Sequence, residues 1–345
     1  MTTRPLSPLT MLLSRHTKRR EFISLLGGTA VAWPLAARAQ QGEQVRRIGV
    51  LMPLAADDPE AQSRVAAFAQ GLQQLGWTIG RNVRIDTRWA AGDAERIRKY
   101  AAELAALAPD VILAGAGAVV PSLLQATRTV PIVFTQTPDP VGAGFVNSLA
   151  QPGGNVTGFT SFEYGISAKW LELLKEIAPR VTRAAVIRDA AIASGTGQWG
   201  ALQSVAPSFG VELSPVNMRD ADEIERAVAA FARSPNGGVI LTGSTLAVIH
   251  RDLIVTLAAR HKLPAVYSGR FFVTAGGLTS YGIDQTEPYR LAAGYVDRIL
   301  KGEKPADLPV QQPTKIHLAI NMKAAKAIGL EVPAGLLARA DEVIE

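Results

Sequence analysis

Short apolar runs alternate with longer amphipathic segments along most of the chain. The runs RIGVLM, VRID, DVILAG and PIVF fall between residues 47 and 134, and each has the length of a buried strand. Between the first two runs, Val65, Phe68, Leu72 and Leu75 recur at helical spacing. Strands that alternate with helices in this way predict parallel sheets covered by helices on both faces.

The same pattern restarts after residue 158. The runs AAVIRD, VELSPV, GGVILTG and PAVYSG alternate with predicted helices near residues 163–178, 197–209, 220–232 and 245–262. A chain of this length is too long for one small core and suits two domains. The pattern therefore predicts an α/β protein with two successive, similar lobes.

Residues 1–39 have the pattern of a secretory signal peptide of the twin-arginine type. The basic sequence KRR at residues 18–20 precedes an apolar stretch at residues 22–35, and the small-x-small sequence ARA ends at Ala39. The alternative is an uncleaved anchor, although a membrane span needs about 20 apolar residues. We expect export to the periplasm and a mature chain that begins near Gln40.

The signal peptide changes the meaning of the net charge. The chain has 36 Lys and Arg against 30 Asp and Glu, a formal charge of +6. Residues 1–39 contain six of those bases and one of the acids, so the mature chain is close to neutral. Such a charge gives no support for nucleic-acid binding. The chain has no cysteine, which excludes disulfides, thiol catalysis and a lipid-modified cysteine anchor.

Little in the sequence is typical of an enzyme. Four histidines are scattered along it: His16, His250, His261 and His317. None has the spacing of a metal site. The sequence GAG at residues 115–117 begins like a dinucleotide fingerprint, but Val120 stands where the third glycine belongs. We expect no enzyme activity, no metal and no cofactor.

The loops that follow the predicted strands form the candidate ligand site, because ligands of open α/β sheets bind beyond the carboxyl ends of the strands. These loops are rich in Ser, Thr, Gly and backbone amides, which suit hydrogen bonds to a small polar ligand. The candidate ligand-binding residues are Pro53, Leu54, Gly115, Ala116, Gly117, Thr137, Asp139, Asp189, Trp199, Ser244 and Tyr281.

Several of these residues have a structural alternative. Asp139 either pairs with a ligand ammonium or caps its own turn. Tyr281 either stacks on the ligand or packs at the hinge. Trp199 either covers the ligand or anchors the helix that follows it. Arg188 and Asp189 either form a salt bridge at a strand end or bind a ligand carboxylate.

Long stretches of the chain resemble the substrate-binding proteins of ABC transporters, of the tryptophan/tyrosine-type subgroup. These include RIGVLMP, FAQGLQQLGWTIGRNVRIDTRWAAGDAERI and PIVFTQTPDPVGAGFVNSLAQPGGNVTG, and later ELLKEIAP, AARHKLPAVY, GGLTSYG, RILKGEKPADLPVQQPTK and LLARADEVIE. The segments DPV…PGGNVTG and SYG are fairly specific to this group. One loop departs from it: IRDAAIASGTGQWG stands where many relatives have a W-N-P-x-N-P-type sequence.

The resemblance implies a type I periplasmic-binding-protein fold, in which two Rossmann-like lobes with parallel sheets are joined by a three-segment hinge. The first lobe would comprise residues 46–159 and 284–312, and the second residues 160–283 and 313–345. The resemblance also implies a monomeric periplasmic receptor that traps an amino acid or a related small carboxylate. It would deliver this ligand to the ABC permease subunits of the inner membrane.

Two other functions remain open at this point, a secreted α/β enzyme and a ligand sensor for a membrane receptor. For a receptor of either kind we expect the lobes to close on the ligand, because a ligand between them contacts both only in the closed state. The expected hinge segments are Gly158–Ser161, Ser280–Ile283 and Gln312–Lys315.

Overall fold

The structure is a computed structural model that describes residues 45–161 and 164–345. The signal peptide predicted at residues 1–39 lies outside the described residues. Residues 46–345 form one compact unit. Among the helices of the described residues, none is long and apolar enough to cross a membrane.

Two sheets form the centres of two lobes. The first sheet has the strand order β2-β1-β3-β4-β5 and is parallel throughout. Its strands are β1 Arg46–Met52, β2 Val83–Trp89, β3 Val111–Ala114, β4 Ile132–Phe134 and β5 Val156–Gly158. The second sheet has the order β12-β11-β10-β9-β8-β6-β7, in which only β10 and β11 pair antiparallel. Its strands are β6 Arg183–Arg188, β7 Glu212–Asn217, β8 Gly237–Leu241, β9 Ala265–Tyr267, β10 Thr279–Ile283, β11 Ile316–Asn321 and β12 Glu342–Ile344.

Helices cover both faces of each sheet. In chain order they are α1 Pro59–Gln74, α2 Ala94–Ala106, α3 Val120–Ala126, α4 Ile166–Ile177, α5 Ala193–Val205, α6 Ala221–Phe231, α7 Thr245–Ile249, α8 Arg251–Arg260, α9 Arg270–Thr274, α10 Glu287–Leu300, α11 Met322–Ala327 and α12 Ala334–Leu337. Short 3-10 turns lie at Gly117–Val119, Ala206–Phe209 and Pro305–Asp307. Two lobes of alternating strands and helices confirm the predicted fold class.

The starts of several helices are fixed by acidic caps. Asp58 accepts a hydrogen bond from the Ala61 amide at 2.9 Å, and Asp93 and Asp220 begin α2 and α6 in the same way. Such caps satisfy amides that have no partner within the helix. Helix α10 follows strand β10 of the second sheet but packs against α1, so its apolar face completes the core of the first lobe.

The chain passes between the lobes three times: after β5, after β10 and before β11. Two of these passages run side by side, because the Thr160 amide donates to the Gln311 carbonyl at 2.9 Å and the Gln311 amide to the Gly158 carbonyl at 3.0 Å. Of the expected hinge segments, Ser280–Ile283 lies within β10, and the chain crosses after it.

Gly158 occupies a position at this crossing that other residues would not tolerate. Its φ is +153°, a region that L side chains rarely adopt. A Cβ added there would lie 2.0 Å from the carbonyl oxygen of Phe134 in the neighbouring strand. The glycine therefore lets the end of β5 approach β4 closely as the chain leaves the first lobe.

Candidate functional site

A cavity of about 360 Å³ lies between the two lobes. It is lined by loops at the carboxyl ends of β3 and β4 in the first lobe, and of β6, β8, β9 and β10 in the second. This is the edge at which open α/β sheets bind their ligands. The volume lies within the range of small-molecule sites, about 300–1,000 Å³.

Much of the cavity wall is apolar and aromatic. Trp170 and Ile166 reach it from α4, Phe145 from the loop after β4, and Phe271 from α9. The indole nitrogen of Trp170 donates to the carbonyl of Tyr281 at 2.7 Å, which fixes the orientation of the ring. Such a wall suits a ligand with a large apolar or aromatic part.

Among the described residues, Arg64 and Asp139 are the only charged side chains that line the cavity. Arg64 lies on α1 and is 3% exposed. Its Nε donates to Glu60 at 3.1 Å and its Nη1 to the side-chain oxygen of Gln136 at 3.0 Å. A buried guanidinium held by these two partners has a fixed position, which is what recognition of a ligand carboxylate requires.

Sequence reasoning missed Arg64, although a signal was present. Ala61, Arg64, Phe68 and Leu72 recur at helical spacing and are all buried. An arginine within the apolar stripe of a helix is rarely buried unless it is paired, so its place in the stripe was the sequence signal that could have made it a candidate.

Asp139 faces the cavity and also caps its own turn. Its Oδ1 accepts a hydrogen bond from the Gly142 amide at 2.8 Å. A Cβ at Gly142 would lie 2.2 Å from Asp139 Oδ2, so a larger residue there would displace the carboxylate from this position. Burial raises the pKa of the nearby Tyr164, and the charge of Asp139 raises that pKa further. One carboxylate is thus available both to the turn and to the cavity.

Five of the residues proposed from the sequence line the cavity: Ala116, Gly117, Thr137, Asp139 and Ser244. The Thr137 hydroxyl is buried and lies 3.4 Å from the Thr135 carbonyl. Ser244 begins α7, where its hydroxyl oxygen accepts the Ala247 amide at 3.1 Å. Both residues therefore contribute side chains held by their own loops.

The three other first-lobe candidates are not among the lining residues. Leu54 is buried in the core of the first lobe, and the Pro53 carbonyl accepts the Gly92 amide at 2.6 Å. The carbonyl of Gly115 accepts a hydrogen bond from the hydroxyl of Tyr289, a buried residue of α10. These three residues therefore lie outside the lining of the cavity.

The remaining second-lobe candidates, Asp189, Trp199 and Tyr281, are also not among the lining residues. Asp189 is buried, accepts the Ala191 amide at 3.0 Å, and has its pKa raised by burial. The guanidinium carbon of Arg188 lies 5.2 Å from the ring centroid of Trp199, and within the described residues Arg188 forms no ion pair with Asp189. Trp199 and Tyr281 both pack against the core cluster that contains α4.

The start of α5 reaches the cavity because glycines let it approach closely. Ile192, Ala193 and Ser194 line the cavity. A Cβ at Gly195 would lie 1.8 Å from the Asp189 carbonyl oxygen, and one at Gly197 would lie 2.6 Å from the ring of Tyr164. The loop that departs from the subgroup pattern is therefore part of the candidate site.

Comparisons with known proteins agree with this geometry. A family model described as ABC transporter substrate binding protein matches residues 47–344. The chain is similar to a tyrosine-binding protein of Clostridioides difficile (strain R20291), with 26% identity over 275 residues that cover 80% of this chain and 79% of that protein.

Two solved structures match most of the chain. An ABC domain from Streptococcus pneumoniae in complex with L-Trp is 25% identical and matches with a TM-score of 0.80, over 87% of this chain and 99% of that chain. The ligand-free, open structure of a substrate binding protein with adhesive properties from Clostridium difficile has the same identity and coverage, but a TM-score of 0.65. The described chain is thus more similar overall to the L-Trp complex than to the ligand-free, open structure.

Proposed function

The chain belongs to the family of ABC transporter substrate-binding proteins, and we propose that it binds a free amino acid with an aromatic or large apolar side chain. The ligand would lie between the lobes and be delivered to an ABC importer. A tyrosine-binding relative and a similar structure that contains L-Trp support this choice of ligand.

The observation that carries the proposal is the pair of opposite charges in the cavity. Arg64 and Asp139 both belong to the first lobe, and the rest of the described lining is uncharged. A free amino acid carries one carboxylate and one ammonium, and each needs a partner once lobe closure removes water. Arg64 suits the carboxylate and Asp139 the ammonium, while the aromatic wall suits the side chain.

The place of action follows from the same reasoning. We infer that the protein is exported by the sequence at residues 1–39 and acts in the periplasm as a monomer, with ABC permease subunits as its partners. Membership of a solute-binding family supports a receptor rather than an enzyme. The chemistry of the lining supports it too, because one paired arginine and one turn-capping aspartate do not make an acid–base pair.

Calorimetric titration of the mature protein with three related ligands tests the proposal. We expect L-tyrosine to bind, and both tyramine, which lacks the carboxylate, and 3-(4-hydroxyphenyl)propanoate, which lacks the ammonium, to bind at least about tenfold more weakly. These analogues are smaller than tyrosine, so a loss of affinity cannot come from a clash.

Two variants assign the charges. Asp139→Asn should abolish the preference for tyrosine over 3-(4-hydroxyphenyl)propanoate but keep the preference over tyramine. Arg64→Met should do the reverse, since it removes only the partner of the carboxylate. Equal binding of tyrosine and both analogues by the wild-type protein would contradict the proposal.

A further inference from the structure

Three buried polar side chains beside the cavity have no hydrogen-bond partner. Ser161 is 5% exposed, and Ser167 and Gln198 are fully buried. Both hydroxyl oxygens, and both the nitrogen and the oxygen of the Gln198 amide, lack a partner in the described part of the chain. Folded proteins rarely leave buried polar groups unpaired, so each such group requires an explanation.

The elements that carry these side chains converge on the cavity. Ser161 lines it directly. Ser167 lies in the first turn of α4, between Ile166 and Trp170, which both line the cavity. Gln198 lies one turn after the lining residue Ser194, on the buried face of α5.

Helix geometry directs two of these groups toward the cavity. Side chains on a helix lean toward its N-terminus. Helices α4 and α5 pack against each other, and both begin at the cavity. Ser167 and Gln198 are not themselves among the lining residues, but from these helix starts their side chains lean toward the wall to which Ser161 belongs.

The two other unpaired atoms lie elsewhere. Arg188 Nε belongs to a guanidinium that covers the ring of Trp199. Ser280 is adjacent to Tyr281 in β10, so its side chain points to the opposite face of the sheet from the α4 core. Ser161, Ser167 and Gln198 are thus a separate group, which we name the polar wall.

We propose that the polar wall binds a hydroxyl group at the tip of the ligand side chain, and that Gln198 is the residue that selects for it. This rests on the proposed function, because an amino acid held at Arg64 and Asp139 in the first lobe directs its side chain toward the second. A phenol hydroxyl both donates and accepts, and the Gln198 amide offers an acceptor oxygen and a donor nitrogen.

The polar wall would then allow the protein to bind tyrosine more tightly than phenylalanine. A site built to bond a hydroxyl rejects the analogue that lacks it by up to about 10⁴–10⁵-fold, because its own polar groups remain unpaired. An aromatic wall without such groups would distinguish the two ligands only weakly. We expect the wild-type protein to bind tyrosine at least about 30-fold more tightly than phenylalanine, a conservative fraction of that range.

Calorimetric titration of both amino acids into wild type and Gln198→Met tests this. Methionine has a similar length and shape without the polar tip, so the ratio of affinities should fall to about threefold or less, with phenylalanine binding at least as tightly as before. Gln203→Met is the matched control, because it removes the same amide from the exposed face of α5 and should leave the ratio unchanged.

Ser161→Ala provides a second variant that does not depend on repacking α5, and it should reduce the ratio in the same direction. Equal binding of both amino acids by the wild-type protein would contradict the proposal that the polar wall binds the ligand hydroxyl. It would not contradict the proposed function. A ratio unchanged in Gln198→Met and Ser161→Ala would also contradict the proposal for the polar wall and assign these groups to enclosed water. Failure of both amino acids to bind would also overturn the proposal for the polar wall, and failure of L-tryptophan and L-leucine as well would overturn the proposed function.

Discussion

An ion pair across the cleft predicts how readily the lobes close. Asp58 at the start of α1 lies 3.7 Å from Arg251 at the start of α8, measured from Oδ2 to Nη2, and both side chains are only 15% exposed. A cation in the first turn of a helix is unfavourable for the helix dipole. Arg251 is therefore placed against the preference of its own helix, and two partners offset this: Asp252 beside it at 3.2 Å and Asp58 in the other lobe.

The size of the effect follows from the geometry. Two charges about 4 Å apart attract by about 4 kcal/mol at an effective dielectric constant of about 20. Desolvation and side-chain ordering remove most of this, which leaves a net contribution of about 1 kcal/mol for a partly exposed pair. When the closed state is a minor population, losing about 1 kcal/mol reduces it about fivefold.

Arg251→Met should therefore weaken the apparent affinity for the ligand by about fivefold, because only the closed state contacts the ligand with both lobes. Small-angle scattering without ligand should show almost no change in the radius of gyration, because the closed state is then already a minor population. Asp58 is less suitable for this test, since its other oxygen caps α1.

Arg260→Met is the matched control for this prediction. Arg260 lies on the same helix but pairs with Glu225, at 3.0 Å, within the second lobe. The control should bind like wild type. High salt should weaken binding by wild type more than by Arg251→Met, because the exposed edge of the pair is screened. Unchanged affinity in Arg251→Met would refute the reasoning.

Three further substitutions give distinct outcomes. Asp139→Asn keeps an oxygen for the Gly142 amide, so its melting temperature without ligand should match wild type while calorimetry shows binding weakened well over tenfold; the reverse pattern would leave Asp139 only a turn residue. Gly158→Ala forces a Cβ against the Phe134 carbonyl, and denaturant unfolding should show a loss of about 2–4 kcal/mol. Burial raises the pKa of Asp189 in the folded protein. The neutral carboxyl therefore stabilises the fold fully below the unfolded-state pKa of about 3.9, and this stabilisation is lost as the pH rises through the folded-state pKa. Asp189→Asn should therefore melt at a higher temperature than wild type at pH 7, and this advantage should disappear below about pH 4.

The fold was accessible from the sequence because its signals are local. Alternating apolar runs and amphipathic segments predicted two α/β lobes, and the structure confirms them. The family resemblance is confirmed as well. Each of these signals depends on residues that are neighbours in the chain, so no long-range contact had to be known.

Helix α5 shows where local signals are insufficient. The sequence predicted a helix from residue 197, but α5 begins at Ala193. Gly195, Gly197 and Gly200 have low helix propensity, so the segment has the composition of a loop. Close packing on the Asp189 carbonyl favours the helix instead, and this contact is visible only in the folded chain.

The cavity itself was located only in part, because distant residues decide which loops reach it. The general rule for open sheets gave equal weight to the loops after β1 and β3. In the structure, Tyr289 of α10 lies at the ends of both strands, with its hydroxyl on the Gly115 carbonyl and 4.0 Å from the sulfur of Met52. Tyr289 is 174 residues from Gly115 in the chain. Pro53 and Leu54, which follow β1 at this edge of the sheet, are buried. The local sequence pattern thus predicts which edge of the sheet binds a ligand. The part of that edge that is open to the ligand depends on α10, which the chain reaches only after it has crossed back from the second lobe.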